Sequence, residues 1–188
     1  MLSRDKVLSQ QILAYHRIPT PRFPVFRRGR TLRLPRKLSF PLFVKSAVED
    51  ASLGISQASI VEDVDRLRDR VAFIHDHIGT DALVEEYIDG RELYVGVLGN
   101  TRLTTLPVWE MRFGTLSAVQ AGIATRKVKW DGDYQRRHGI RTGRARHLGE
   151  GVEERLSRLS RRIYRALHMT GYARMDFRLT ADGTPYLL

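Results

Sequence analysis

The sequence predicts an α+β protein, one domain or one domain built from two small lobes, on three observations. Apolar residues recur at helical spacing in three stretches, near residues 7–13, 64–78 and 152–167. Between the second and third stretch the chain is rich in β-branched and aromatic residues set between turn signals. At 188 residues and 42% hydrophobic, it is long enough to bury a sizeable core.

Taken in order, Ser3 is placed to cap a first helix of about four turns carrying Val7, Leu8, Ile12 and Leu13, which Pro19 and Pro21 end. Residues 1–22 are this helix and its lead-in. Phe23 to Phe26 and Phe40 to Lys45 read as short strands, and Ser46 to Ser56, with its small residues around Gly54, as a mobile loop. Glu62 and Asp63 favour a helix N-terminus, and Val64, Leu67, Val71, Ile74 and Ile78 continue one apolar face to Gly79. Strands are expected at 82–88, 91–98, 102–109 and 123–130, with hairpin turns at Asp89-Gly90 and Gly99-Asn100. A basic loop, 131–147, leads to a helix with Val152, Leu156, Leu159, Ile163 and Leu167 on one side. Tyr172 to Leu179 and Pro185 to Leu188 form a terminal hairpin. If the chain is divided into two lobes, they are 23–88 and 89–188.

Composition removes several function classes. The longest apolar runs fall far short of the roughly 20 residues a membrane helix needs, and no charged-then-apolar leader opens the chain. The expectation is a soluble protein without a membrane partner. With no cysteine there is neither a disulfide framework nor a thiolate metal site, and the cytoplasm is the natural compartment. The formal charge of +11 raises nucleic acid as a partner, but the 32 basic residues, all but five of them arginine, are spread along the chain. The two concentrations, Arg27 to Arg36 and Arg136 to Arg146, lack interleaved aromatics, which disfavours a nucleic-acid interface. The histidines have no ligand spacing, and there is no nucleophile elbow.

Three places can carry chemistry. Lys45 leaves an apolar strand beside a small-residue loop, where an ammonium and backbone N–H groups both favour phosphate. Glu85-Glu86-Tyr87-Ile88-Asp89-Gly90-Arg91-Glu92 puts acidic acceptors on a strand, a turn and the next strand, suited to a purine amine and ribose hydroxyls. Alternation on a strand puts Arg174, Asp176 and Arg178 on one face, where a carboxylate suits Mg²⁺ and an arginine suits developing negative charge. Each has an ordinary alternative: a solubilising lysine, a hairpin with solvent-facing carboxylates, a solvated Arg-Asp-Arg face.

In combination and in this order, these stretches resemble the ATP-grasp superfamily, and within it the D-alanine:D-alanine ligase group. The resemblance rests on the Asp5-Lys6 helix, the Pro-Leu-Phe-Val-Lys strand, the Ser52-Leu53-Gly54-Ile55 loop, Glu85 to Glu92, and Arg174-Met175-Asp176. It implies the ATP-grasp fold, with ATP between the two lobes, and an ATP-dependent ligase that joins a small-molecule carboxylate to an amine through an acyl-phosphate. It also implies roles: Lys6 and Lys45 on the phosphates, Glu85, Glu86, Tyr87 and Ile88 on adenine, Glu92 on the ribose, and Ser52 on a lid. Lys129, with nearby Lys127 as a competitor, would close over the phosphates, Arg174 would face the acyl centre, and Asp176 would take magnesium.

Two departures temper this. The family's Glu-x-Asn metal segment would begin where Tyr186-Leu187-Leu188 ends, and no substrate domain precedes Lys6. The expectations are therefore an incomplete metal site, and a chain that is either a fragment of an enzyme or a truncated, non-catalytic nucleotide-binding module. A separate substrate domain or a second copy of the chain is the expected protein partner. A basic nucleic-acid-binding protein is the remaining alternative.

Overall fold

The computed structural model of the chain describes residues 5–35, 38–48, 55–116 and 125–188. Helix α1 (Lys6–Tyr15) opens it, and its cap is Asp5, whose carboxylate accepts the Leu8 N–H at 2.9 Å. Ser3 lies outside the described residues, and the helix is ten residues long, a turn shorter than expected, because His16 closes it.

Two sheets follow. The first is antiparallel throughout, in the order β1 (Val25–Phe26), β4 (Ala82–Glu86), β2 (Leu42–Ser46), β3 (Ile60–Val61). Strand alternation sends Leu42, Val44, Ala82 and Val84 to one face, where they bury against Leu67, Val71 and Ile74 of α2 (Val64–Phe73). Asp63 caps α2 through the Arg66 N–H at 2.8 Å, and a wider turn, Ile74–Ile78, ends it at Gly79. The register pairs Phe43 with Glu85 and Lys45 with Leu83, so these four share the opposite face.

The second sheet runs β10 (Pro185–Leu187), β9 (Tyr172–Leu179), β5 (Arg91–Leu98), β7 (Trp109–Arg112), β8 (Arg141–Arg144), with β6 (Thr104–Thr105) also on β5. One face carries Leu93, Val95, Val97, Met175 and Phe177 against Leu156, Leu159, Ile163 and Tyr164 of α5 (Val152–Ala166), with Leu13 of α1 in the same core. The terminal hairpin of β9 and β10 and the helices α2 and α5 fall where their periodicity places them.

Four expectations are corrected. Asp89-Gly90 is not a hairpin turn, because β4 and β5 belong to different sheets and 87–90 crosses between them. Glycine is required at the crossing: Gly90 has φ +156°, and a Cβ there would lie 2.3 Å from the Leu179 carbonyl oxygen. The strand expected at 102–109 is two short ones, β6 and β7, separated by a stretch containing Pro107, which has no N–H for a ladder. In place of a strand over 123–130, the described part is helix α3 (Arg126–Trp130). The segment 131–147, expected as a loop, holds α4 (Gly132–His138), capped by Asp131 and closed by Gly139 in left-handed conformation, and then β8.

Candidate active site

The face of the second sheet away from α5 carries the chemistry. Register sets Glu92 opposite Arg178, Tyr94 opposite Asp176 and Gly96 opposite Arg174, so alternation brings all of these side chains to one side. On that side Tyr94 and Met111 form a small core with Leu116, Ile140 and Val128 of α3. Burying Val128 there carries Lys129, the next residue, over the charged row. The Gln135 side-chain amide of α4 donates to the carbonyls of Val128 at 2.8 Å and Lys129 at 3.2 Å, which ties the end of α3 down.

The result is one connected array. Arg178 donates to Glu92 Oε2 at 2.8 Å and to the Gly90 carbonyl at 2.9 Å. The Tyr94 hydroxyl donates to Glu92 Oε1 at 2.8 Å. The Lys129 ammonium lies 3.5 Å from Asp176 Oδ2 and 3.9 Å from Glu92 Oε1, bridging the two carboxylates. Arg174 grips Asp176 with two bonds, 2.7 and 3.0 Å, and lies 4.7 Å over the Tyr94 ring. Burial, then the Glu92 charge, pushes the Tyr94 phenol far above its ordinary value, so it stays a donor. The hydrogen bond to Asp176 raises the Arg174 guanidinium. Three cations and two carboxylates leave this array with one net positive charge, which favours an anion.

The second group sits on the first sheet. The Lys45 ammonium pairs with Glu85 Oε2 at 2.8 Å, both nearly buried, and the Gln10 side chain of α1 donates to Glu85 Oε1. Lys6, one helical turn before Gln10, brings its N–H 3.4 Å from the Ala47 carbonyl at the exit of β2. Tyr87 lies at the crossing between the sheets: burial raises its phenol, the Arg178 charge lowers it, and the Asp89 and Glu92 charges raise it. A cleft of about 940 Å³ is lined by residues that include Ile55, Gln57, Trp130, Tyr134 and Arg136.

Of the residues singled out in the sequence, Glu92, Lys129, Arg174 and Asp176 meet on one face, and Lys45 and Glu85 meet on the other sheet. The backbone of Glu85 to Ile88 is partly used: the Glu86 N–H bonds the Arg22 carbonyl at 2.9 Å and the Tyr87 N–H that of Pro41 at 3.1 Å. These two N–H groups are taken within the fold, so any pairing of the segment with a base would use its other backbone groups. Glu86 itself turns toward Arg22, 3.9 Å away. Lys129 sits on a helix rather than a strand, so its choice over Lys127 is not one of strand faces. Ser52 lies outside the described residues. Tyr94, Gln10 and Gln135 were missed. Tyr94 alone carried a signal, standing two residues from Glu92 on the same strand face.

For magnesium, Asp176 would be one carboxylate, and among the described residues no group of three His, Cys, Asp or Glu is close enough to hold a metal. A single carboxylate suits a hard cation that takes its other oxygens from phosphate and water. Among the described residues no helix is long and apolar enough to cross a membrane.

A family model described as D-ala D-ala ligase C-terminus matches residues 12–188. An uncharacterised protein of Sinorhizobium fredii is 35% identical over all of this chain, which covers 52% of that protein. A D-alanine–D-alanine ligase of Bordetella petrii is 30% identical over all of this chain, covering 53% of the ligase. Among solved structures, the D-alanine–D-alanine ligase of Bacillus anthracis complexed with ATP superposes on the whole chain with a TM-score of 0.75 at 25% identity, and 54% of that chain is covered. The chain spans about half the length of the curated relatives it matches.

Proposed function

Because the chain belongs to the family of D-alanine:D-alanine ligase C-terminal domains, we propose that it is the ATP-binding part of a ligase that joins a small-molecule carboxylate to an amine. The observation that carries the reading is the connected array of Glu92, Arg178, Lys129, Asp176 and Arg174 on one sheet face. It is net positive, it lies across the 87–90 crossing from the Lys45–Glu85 pair, and the similar chain of known structure is complexed with ATP. ATP lies between two lobes, 23–88 and 89–188, one on each sheet.

In this reading the base meets Glu85 and the carbonyls leading to Ile88, and the ribose hydroxyls meet Glu92, whose second partner Tyr94 keeps the carboxylate aimed. Lys45 and Lys6 hold phosphate oxygens from the first sheet and Lys129 from the second, with Ser52 on a covering loop. Mg²⁺, held by Asp176, would neutralise charge on the transferring phosphoryl group. Arg174 moves toward the acyl centre, where the substrate carboxylate takes the γ-phosphoryl group and ADP leaves. The amine then displaces phosphate to give the amide, with no covalent bond to the protein. Cysteine-free composition and the soluble chemistry of the substrates fit a cytoplasmic protein.

Calorimetry with Mg-ATP tests the assignment. Lys45→Gln and Glu92→Gln should each weaken binding by about 1.5–3 kcal/mol, the cost of losing a charged hydrogen-bond partner. Unchanged affinity in both variants removes the phosphate and ribose roles.

A further inference from the structure

The geometry points to Gln10 as a positioning residue of the nucleotide site: from α1 it holds Glu85 in place, so that Lys45 and the free side of the carboxylate keep a fixed direction. The inference rests on the ATP-binding reading above.

Gln10 is 5% exposed, and its amide lies against a carboxylate 75 residues away in sequence. Glu85 is held from two sides, Gln10 Nε2 on Oε1 and Lys45 Nζ on Oε2. A carboxylate has about four lone-pair positions and an ammonium three donors. The arrangement therefore leaves about two lone pairs on Glu85 and two protons on Lys45, enough for a purine amine and a phosphate oxygen. With the lysine contact alone the pair would be free to rotate as a unit. A second contact from a rigid helix removes that freedom, and the helix is itself registered to the strand by the Lys6 N–H on the Ala47 carbonyl.

The orientation of the amide is forced. Turning it over would aim its oxygen at the carboxylate, so the oxygen stays on the far side, buried and without a hydrogen-bond partner. A stranded buried acceptor is a cost that an apolar side chain of the same length would avoid. The glutamine thus keeps one unsatisfied atom together with a fixed donor, and a fixed donor is what a site that must be aimed requires. The remaining donor of the amide and the stranded oxygen do nothing for packing that methionine would not do.

The test uses the 188-residue chain, its Gln10→Met and Gln10→Lys variants, and calorimetry with Mg-ATP and Mg-GTP, since guanine offers an oxygen where adenine offers the amine. Gln10→Met should bind Mg-ATP about tenfold more weakly and prefer ATP over GTP less. Gln10→Lys, which restores a donor without the stranded oxygen, should recover both affinity and preference. If Gln10→Met does not fold, Gln10→Leu carries the same comparison. Parent-like affinity and preference in the donor-free variant overturns the inference. So does an equal loss for both nucleotides that lysine does not repair, which is the mark of a packing defect. Absence of nucleotide binding by the parent chain overturns the ATP reading itself, and this inference with it.

Discussion

At the scale of single residues, the molecule uses arginine as a strut. Arg28 donates to the Gly79 carbonyl, Arg155 to that of Gly183, Arg162 to that of His16, and Arg112 to that of Arg144. Five donors in a planar fork suit carbonyls left open at helix ends and loops. Part of the arginine excess is thus used in hydrogen bonds within the chain, though at its surface, which weakens composition as an argument for nucleic acid. The densest case is Arg91, which grips Glu110 with bonds of 2.7 and 3.0 Å and also holds the carbonyls of Arg146 and His147. Burial alone would raise the Glu110 carboxyl, but the hydrogen bonds and charges of Arg91 and Arg112 outweigh it and hold it below the usual carboxylate range. A depressed folded pKa stabilises above the unfolded value and is lost as pH falls through the folded one. Glu110→Gln should therefore be less stable than the parent at pH 7 in urea unfolding, with the gap closing once the pH drops below the ordinary carboxylate value of 4.5. A gap independent of pH would assign the loss to packing instead.

At the scale of elements, α3 and α4 decide whether Lys129 works. Five residues are too few to hold a helix in water, so α3 stands on the burial of Val128 and on the Gln135 amide at its end. Removing that amide leaves the α3 terminus without the donor that closes it. In Gln135→Leu, amide exchange across 126–130 should quicken while α5 stays protected, and Mg-ATP should bind about three- to tenfold more weakly, a hydrogen bond's worth. Faster exchange with unchanged affinity would separate α3 from the nucleotide site.

At the scale of the whole molecule, the expected ligand touches both sheets, the first through Lys45 and Glu85 and the second through Glu92 and Asp176. A ligand that binds only the folded state adds about 2.7 kcal/mol of stability at a hundred times its dissociation constant. Because α1 shares a core with α5 and contacts Glu85 on the first sheet, that gain should reach both sheets at once. Native-state exchange should therefore show slower opening of β2 and β9 together when Mg-ATP is added. Protection confined to one sheet would place the nucleotide on that sheet and not between the two.

Much of this was legible beforehand, and the division follows from range. Period alone determined α2, α5 and the β9–β10 hairpin, because a helix repeats every 3.6 residues and a strand every two whatever surrounds it. The same alternation set Arg174, Asp176 and Arg178 on one face. Tertiary structure decided the rest. The sequence read residues 123–130 as a strand, since so short a stretch has no readable period, and packing of Val128 with Tyr94, Met111 and Ile140 accompanies a helix over Arg126–Trp130. Asp89-Gly90 has the chemistry of a hairpin turn, and only the separate burial of two sheets makes it a crossing. Glu92 has Arg178 as its partner, 86 residues away, and Glu85 has Gln10, 75 residues away. Partners so distant are chosen by register and packing, which local sequence does not encode.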